Sequence, residues 1–301
     1  MNKLSSAKRA LVISLLCEGT PINATERILK TSKRAILRVI RETGAALADY
    51  MDSHFVNIPC ERLEVDEAWS YVFKHGQRIR LNESSKEIGD YWLWCAVDPD
   101  TKLIVSHRVA RRDWNSGQQF LADAGSRITG PVQVTSDRNR GYALRMRKNF
   151  HQDGMSYVTE KKQFPKPYST EEWVWRRQNG IQKICTVERK AVVGTPDLAT
   201  ATTSHVERVF LTVRQELKRF QRLGLGYSKK LAMHRYGVAM TVGVYNLCRS
   251  HKGLANFTPA MAAGLASKKW TTEDVVALTD RFLRAREDAK FERAWASRHN
   301  H

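Results

Sequence analysis

An α/β fold, with a mixed sheet flanked by helices and a helical segment at each end, is what this 301-residue sequence predicts. Three observations carry that expectation. Residues Leu63 to Phe73 alternate in polarity like a strand, and Tyr91 to Val97 form an apolar run suited to a buried one. Helix-spaced apolar positions precede and follow these runs. Strands and helices are also interleaved along the middle of the chain rather than segregated. An apolar fraction of 42% is enough to build a core around them.

The first fifty residues read as three helices. Ser5 or Ser6 can cap a helix through Cys17, whose apolar positions are Leu11, Ile13, Leu15 and Leu16, and Glu18-Gly19-Thr20-Pro21 stops it. Asn23 followed by Glu26 has the spacing of a capping box and opens a short helix to Leu29. After a turn at Lys30-Thr31, Ser32 caps a longer helix from Lys33 to about Asp49. Its Ala35, Ile36, Val39 and Ile40 face inward and leave Lys33, Arg34, Arg38 and Arg41 on the other side. This is a helix-turn-helix pattern over residues 1–58, with Ser32, Lys33, Arg34, Arg38 and Arg41 as candidate DNA contacts. Three-helix bundles that never touch DNA share the same pattern.

Beyond Arg62 the period changes. Leu63–Phe73, Tyr91–Val97 and Leu103–Val109 are strands, the last two joined by the turn Asp98-Pro99-Asp100-Thr101-Lys102. A helix at about Ser116–Arg127 ends before Thr129-Gly130-Pro131, Val132–Thr135 is a short fourth strand reaching Ser136-Asp137, and Tyr142–Phe150 is helical. Three strands in meander, then helix, strand and helix, is the order of a ribonuclease-H-like core. Residues of about 151–202 hold Pro165, Pro167, Gly180, Gly194 and Pro196 and read as an irregular insertion. Helices follow at Ser204–Arg222, Lys229–Cys248 and Glu273–Trp295. The predicted division is therefore 1–58, a catalytic unit at 59–250 and a helical C-terminal region at 251–301.

Charge points to the partner. Lys+Arg number 50 against 31 Asp+Glu, a formal net charge of +19, and such an excess favours a polyanion, nucleic acid above all. The five cysteines are scattered without a C-x-x-C pair, which excludes a disulfide framework or zinc ribbon and fits a reducing cytoplasm. No apolar run approaches the ~20 residues that span a membrane.

Three acids suggest chemistry. Phosphodiester cleavage with two divalent ions about 4 Å apart requires converging carboxylates, and Mg²⁺ prefers such hard oxygen ligands. The first and fourth strands of a ribonuclease-H-like sheet are neighbours, so Asp66 within the first and Asp137 at the end of the fourth can open onto one site. Asp137 also has the place of a helix cap. Asp66 is harder to explain structurally, because a carboxylate between apolar residues in a central strand costs several kcal/mol without compensation. On the helix from Ser204, the residues Val206, Val209, Phe210, Val213, Leu217 and Phe220 form one stripe, and Glu207 lies at its edge. Arg214 and Lys218 share Glu207's direction, so that flank reads as metal ligand followed by two phosphate contacts, or as an ordinary charged helix flank. Glu67 is expected on the opposite strand face from Asp66. His205 reads as a surface residue or a helper at the metal. Trp69, Trp92 and Trp94 read as core, while Trp114, Trp173 and Trp175 sit in polar surroundings suited to DNA contact.

Val65-Asp66-Glu67-Ala68-Trp69-Ser70, YWLWCAV with DPDTKL, Thr135-Ser136-Asp137 and, above all, Thr203-Ser204-His205-Val206-Glu207-Arg208 continuing as VFLTVRQELKRFQRLGLGYSKK carry a family likeness. With Tyr245–Arg249, His251 and Thr258–Gly264, these segments resemble the insertion-sequence-one-like DDE transposases over roughly residues 60–280. The resemblance implies a ribonuclease-H-like fold and Asp66, Asp137 and Glu207 as catalytic metal ligands. It further implies Mg²⁺ or Mn²⁺ as cofactor, and cleavage and strand transfer on double-stranded transposon ends and target DNA. The agent would be a homodimer or larger multimer in the bacterial cytoplasm at the nucleoid. Arg138-Asn139-Arg140 depart from the small residue and histidine that often follow the second Asp in that family. That departure keeps open a domesticated DNA-binding regulator, and a structure-selective nuclease of similar fold is a further alternative.

Overall fold

The computed structural model describes residues 3–80, 82–83, 87–137, 142–150, 154–163, 169–179, 186–221 and 226–299. Helices α1 (Ser6–Cys17), α2 (Ile22–Leu29) and α3 (Lys33–His54) come first, followed by strands β1 (Ile58–Pro59), β2 (Arg62–Val72), β3 (Gly89–Val97) and β4 (Ile104–Ala110). Then come α4 (Trp114–Arg127), β5 (Ile128–Thr129), β6 (Gln133–Asp137), α5 (Tyr142–Asn149), β7 (Ser156–Gln163), α6 (Thr170–Asn179) and β8 (Thr186–Val193). Helices α7 (Ser204–Glu216), α8 (Leu231–Cys248), α9 (Pro259–Ala262) and α10 (Thr272–His299) close the chain.

Six strands form one mixed sheet in the order β4-β3-β2-β6-β7-β8. The meander β2-β3-β4 is antiparallel, β6 and β7 run parallel to β2, and β8 returns antiparallel on β7. The first and fourth strands of the predicted series, β2 and β6, are thus neighbours. Alternation along β2 separates two faces. Glu64 and Ser70 meet α7 and α8 through His205 and His234. Glu67 meets Tyr142 of α5, and its cross-strand partner Trp94 packs on Phe120 of α4. The two faces are covered by different helix pairs, as a buried mixed sheet requires.

At the N-terminus, Ser5 and Ser32 cap their helices as expected, their side chains accepting from the amides of Lys8 and Ala35. The predicted capping box does not form. Helix α2 starts after Pro21, and Glu26 accepts instead from the amide of Lys33, tying the short turn between α2 and α3. Helix α3 runs to His54, five residues past the expected Asp49, because Leu47 and Met51 continue its buried stripe. That stripe packs on α8 so closely that Gly44 lies against the backbone of Tyr236. One hydrophobic core contains Ile13, Ile36, Leu63, Trp94 and Val242, so residues from the first helices share it with the sheet.

The segment of about 151–202 differs most from its expectation. Rather than an irregular insertion, it supplies β7 and β8 to the central sheet, with α6 between them. The strand reads poorly because its buried positions include the polar Thr159 and Glu160. The helix expected to reach Arg222 also ends early. Leu217 leaves it at φ −107° and ψ 101°, and its neighbour Glu216 turns inward, 8% exposed, to pair with Arg249. Lys218 therefore sits in a separate 3₁₀ turn, Lys218–Phe220, and no longer continues one helix flank with Glu207 and Arg214. Cys17, Cys60, Cys95 and Cys248 are free thiols among the described residues. Among those residues, no helix is long and apolar enough to cross a membrane.

The N-terminal segment is clasped to α10 by two ion pairs on one carboxylate. Arg9, 6% exposed, places both terminal nitrogens on Asp280 of α10 at 2.7 Å, and Lys3 adds a third contact at 2.6 Å. The Arg9 hydrogen bond and its charge hold the Asp280 carboxyl well below the usual carboxylate range. Asp280→Asn leaves a buried guanidinium half-satisfied, and the expected loss is about 2 kcal/mol in chemical denaturation at neutral pH. Because the folded carboxyl titrates below its unfolded counterpart, this stabilisation is present above the unfolded pKa and disappears as pH falls through the folded one. Wild type and variant should therefore converge in acid.

Candidate metal centre

The parallel ladder between β2 and β6 pairs Glu64 with Thr135 and Val65 with Ser136, and ends there. The next residues in register are Asp66 and Asp137. They stand side by side where two parallel strands part, in the crevice where an α/β sheet presents ligands. Ser136, fully buried, exchanges a 2.7 Å hydrogen bond with the Tyr157 hydroxyl of β7 and so fixes the end of β6. The short strand holds Asp137 up to its neighbour.

Glu67 joins them. One carboxylate oxygen from each of Asp66, Glu67 and Asp137 lies within 4.8 Å of the other two. The strand faces alternate as expected, since Glu67 takes a hydrogen bond from Tyr142 Oη at 2.6 Å and pairs with Arg112 Nε at 2.6 Å on the α4–α5 side. Its longer side chain nevertheless brings the carboxylate around to the two aspartates. Period-two alternation gives the face of a residue but not its reach.

Burial dominates the electrostatics. Asp66 is pushed up to about 7 by desolvation first, opposed by a 2.8 Å hydrogen bond from the Glu67 amide, and raised further by the charges of Glu67, Asp137 and Glu207. A carboxyl crowded by three others in a partly buried crevice is what a cation would relieve. Hard carboxylate oxygens at this spacing are also the donor set that Mg²⁺ or Mn²⁺ takes. The residues present fit such an ion.

Glu207 stands beside this trio rather than in it. It is the fourth residue of α7, and its side chain is 48% exposed. Its Oε1 accepts from Lys162 Nζ at 2.5 Å and from Thr203 Oγ1 at 2.9 Å. Two buried acids hold the start of that helix. Glu64 of β2 accepts from the amides of His205 and Val206 at 2.8 and 2.9 Å and meets His205 Nδ1 at 2.7 Å. Glu160 of β7 accepts from the amide of Thr203 at 3.2 Å, lies 3.0 Å from its hydroxyl, and pairs with Arg189 at 3.2 Å. Amides left without partners at a helix start, and its positive dipole end, are thus satisfied by carboxylates from the sheet. Burial pushes the Glu64 carboxyl up while these hydrogen bonds pull it back. The sequence reading missed both acids and Lys162. Glu64 lies two residues before Asp66, on the same strand face, and that spacing was the available signal.

The remaining candidates divide. Ser32, Lys33 and Arg34 are exposed at the start of α3, and Arg41 is exposed further along. Lys33 Nζ reaches Asn23 at 2.9 Å, and Arg38 is engaged with Glu42 at 2.7 Å. Arg214 is half-buried in the last turn of α7, and Lys218 lies beyond the break. Trp94 is core, at 1% exposure, and Trp92 packs on it from the partly buried shell. Trp69 is half-buried and stacks on His75. Trp114 and Trp175 are exposed, the former with the Arg145 guanidinium 4.3 Å from its ring. Arg138, Asn139 and Arg140, and the side chain of Trp173, lie outside the described residues.

No family model matches the chain, and no curated protein matches it. Among solved structures it is similar to a piggyBac transposase synaptic complex with hairpin DNA, at 11% identity and a TM-score of 0.39, covering 93% of this chain and 72% of that one. It is also similar to a Mos1 transposase paired-end complex with left transposon end, at 11% identity and a TM-score of 0.23, where 52% of this chain spans 59% of the other. A Mos1 strand transfer complex gives 10% identity and a TM-score of 0.23 over 81% of this chain and 79% of that one. Superpositions this loose transfer no residue roles, so the site rests on its own geometry.

Proposed function

We propose that this chain is a metal-dependent DNA transposase of the DDE type, with Asp66, Asp137 and Glu207 as its catalytic metal ligands. The observation that carries the reading is the pairing of Asp66 and Asp137 at the point where β2 and β6 part, with Glu67 converging on them. The chain's +19 charge supports a nucleic-acid substrate, and the motifs around the three acids support the transposase class. Bound there, Mg²⁺ or Mn²⁺ would activate the attacking oxygen and stabilise the leaving one during phosphodiester cleavage and strand transfer.

The protein's own groups hold and orient. Asp66 and Asp137 present oxygens from fixed strands, so little freedom is lost when an ion is taken up. Glu67, tied to Tyr142 and Arg112, lends negative charge to the site and links β2 to α5 and to the start of α4. Glu64 and Glu160 set where α7 begins and hence where Glu207 can reach. Lys33, Arg34 and Arg41 of α3, all exposed, would bind the phosphate backbone of the element's end in the manner of a helix-turn-helix. A homodimer or larger assembly on two ends completes the reading.

The test of the N-terminal module is direct. Arg34→Ala should weaken binding to end DNA about tenfold and, if Arg34 contacts phosphate, should reduce the salt slope of log K by about one. Fluorescence anisotropy at several salt concentrations measures both. Unchanged affinity and slope would place the DNA elsewhere. A nicking and joining assay with Mg²⁺ on end-bearing duplex then tests the whole reading, and joined products separate a transposase from a nuclease of the same fold.

A further inference from the structure

Lys162 occupies the ground that Glu207 shares with the metal site. On β7 its ammonium lies 2.5 Å from Glu207 Oε1, 3.0 Å from Thr203 Oγ1 and 3.4 Å from Glu160 Oε1. The lysine is the more enclosed partner, its side chain 17% exposed against 48% for Glu207. Of the acids around the site, Glu207 is the one outside the close trio of Asp66, Glu67 and Asp137. Yet its charge is felt at Asp66. A half-exposed glutamate on the first turn of a helix can swing its carboxylate without disturbing the core. A half-buried lysine between two acids cannot leave so readily.

We propose that Lys162 is an internal counter-ion that Glu207 exchanges for the divalent cation. The inference rests on the reading of Glu207 as a metal ligand. In the metal-free protein Lys162 neutralises Glu207 and holds it beside the site. When Glu207 turns toward the ion, Lys162 keeps Glu160 and the Thr203 hydroxyl, so the exchange strands no buried charge. Glu160 thereby has two duties, anchoring the amide of Thr203 and receiving the released ammonium. The consequence is a built-in lowering of metal affinity, through competition for one ligand and through the repulsion of a nearby positive charge. Lys162 is a positioning residue here, acting through Glu207 rather than on substrate.

The experiment is a titration of the full chain with Mn²⁺, followed by calorimetry and by the paramagnetic signal of free ion. Lys162→Met and Lys162→Gln keep an unbranched stem one atom shorter and remove its charge, and circular dichroism checks that each is folded. Lys161→Met, an exposed neighbour in the same strand that stands opposite Glu188 of β8, removes an equal charge from outside the Glu207–Thr203–Glu160 cluster. Glu207→Gln tests the underlying site. Expected are Mn²⁺ affinities about tenfold tighter in both Lys162 variants, within twofold of wild type in Lys161→Met, and about tenfold weaker in Glu207→Gln. Unchanged or weaker binding in the Lys162 variants, with Glu207→Gln still weakened, would overturn the exchange and leave the metal site standing. Wild-type affinity in Glu207→Gln would remove Glu207 from the site, and the exchange with it.

Discussion

Asp66→Asn is expected to abolish Mg²⁺-dependent cleavage of end DNA, by about a thousandfold or more, while leaving DNA affinity within a few-fold of wild type. The magnitude follows from what the substitution removes. Asp66 lies in a central strand of the sheet, its backbone paired with Cys95 of β3, one residue beyond the last rung of the ladder to β6. An amide at this point offers one neutral oxygen where a charged one stood. The same variant should be more stable than wild type when metal is absent. In the folded chain the Asp66 carboxyl is held up to about 7, chiefly by burial, whereas an unfolded aspartate titrates near ~3.9. The folded state therefore holds a proton that the unfolded state has released, and wild-type stability falls as pH rises from about 4 to about 7. Above that window the charged form is present in both states and the cost is constant. Asn carries no such cost, so the difference in denaturation midpoint should open across the window and stay open above it. Saturating Mn²⁺ should reverse the order by stabilising only the wild type. Metal binding should itself tighten as pH rises toward 7, since the ion displaces the Asp66 proton. A variant that cleaves normally would remove Asp66 from the site. A stability difference independent of pH would mean that burial is not what perturbs it.

How much of this was legible in the residues follows from how burial is written into sequence. Strands β2 and β3 announce themselves because alternation and an apolar run are direct consequences of one and two buried faces. The adjacency of β2 to β6 came from the order of elements, and with it the meeting of Asp66 and Asp137. Strand β7 hides because its buried residues include Glu160, a charge normally read as exposed. Glu160 is buried because it satisfies the amide of Thr203, forty-three residues on, and no local pattern encodes a partner that distant. Glu64 is hidden for the same reason, its partners being the amides of His205 and Val206. The break at Leu217 is another long-range effect. Helical spacing continues through Phe220, and only the inward turn of Glu216 toward Arg249 ends the helix. The acids proposed to bear the chemistry were therefore easier to single out than the residues that position them. A metal ligand stands out as a misplaced acid, whereas its supports look ordinary until the fold places them.

The N-terminal helices offer the sharpest structural test, because two opposing effects meet at one glycine. Gly44 lies in the interior of α3, where replacing glycine by alanine ordinarily stabilises a helix by about 1 kcal/mol. Here a Cβ would sit 2.2 Å from the carbonyl oxygen of Tyr236 and 2.7 and 2.8 Å from its C and Cα atoms. All three are backbone atoms of α8, so no rotamer change makes room and the helices must separate. Separation would loosen Leu47 and Ile40 of α3, both buried in the common core. Overpacking of this kind costs about 3 kcal/mol, and it outweighs the propensity gain. Gly44→Ala is thus expected to lose a net ~2 kcal/mol in chemical denaturation, and a bulkier Gly44→Val to unfold the chain at ordinary temperature. The outcome also decides how the first three helices relate to the sheet. If α1–α3 and the sheet with its flanking helices unfold together, the alanine variant should show one cooperative transition shifted as a whole, by far-ultraviolet dichroism and tryptophan fluorescence alike. Two transitions, with only the first shifted, would mean that the α3–α8 contact can open while the sheet stays folded. In that case α1–α3, proposed above to read DNA, could move relative to Asp66 and Asp137 without disturbing their arrangement. A stabilised alanine variant would place α3 further from α8 than the packing at Gly44 allows.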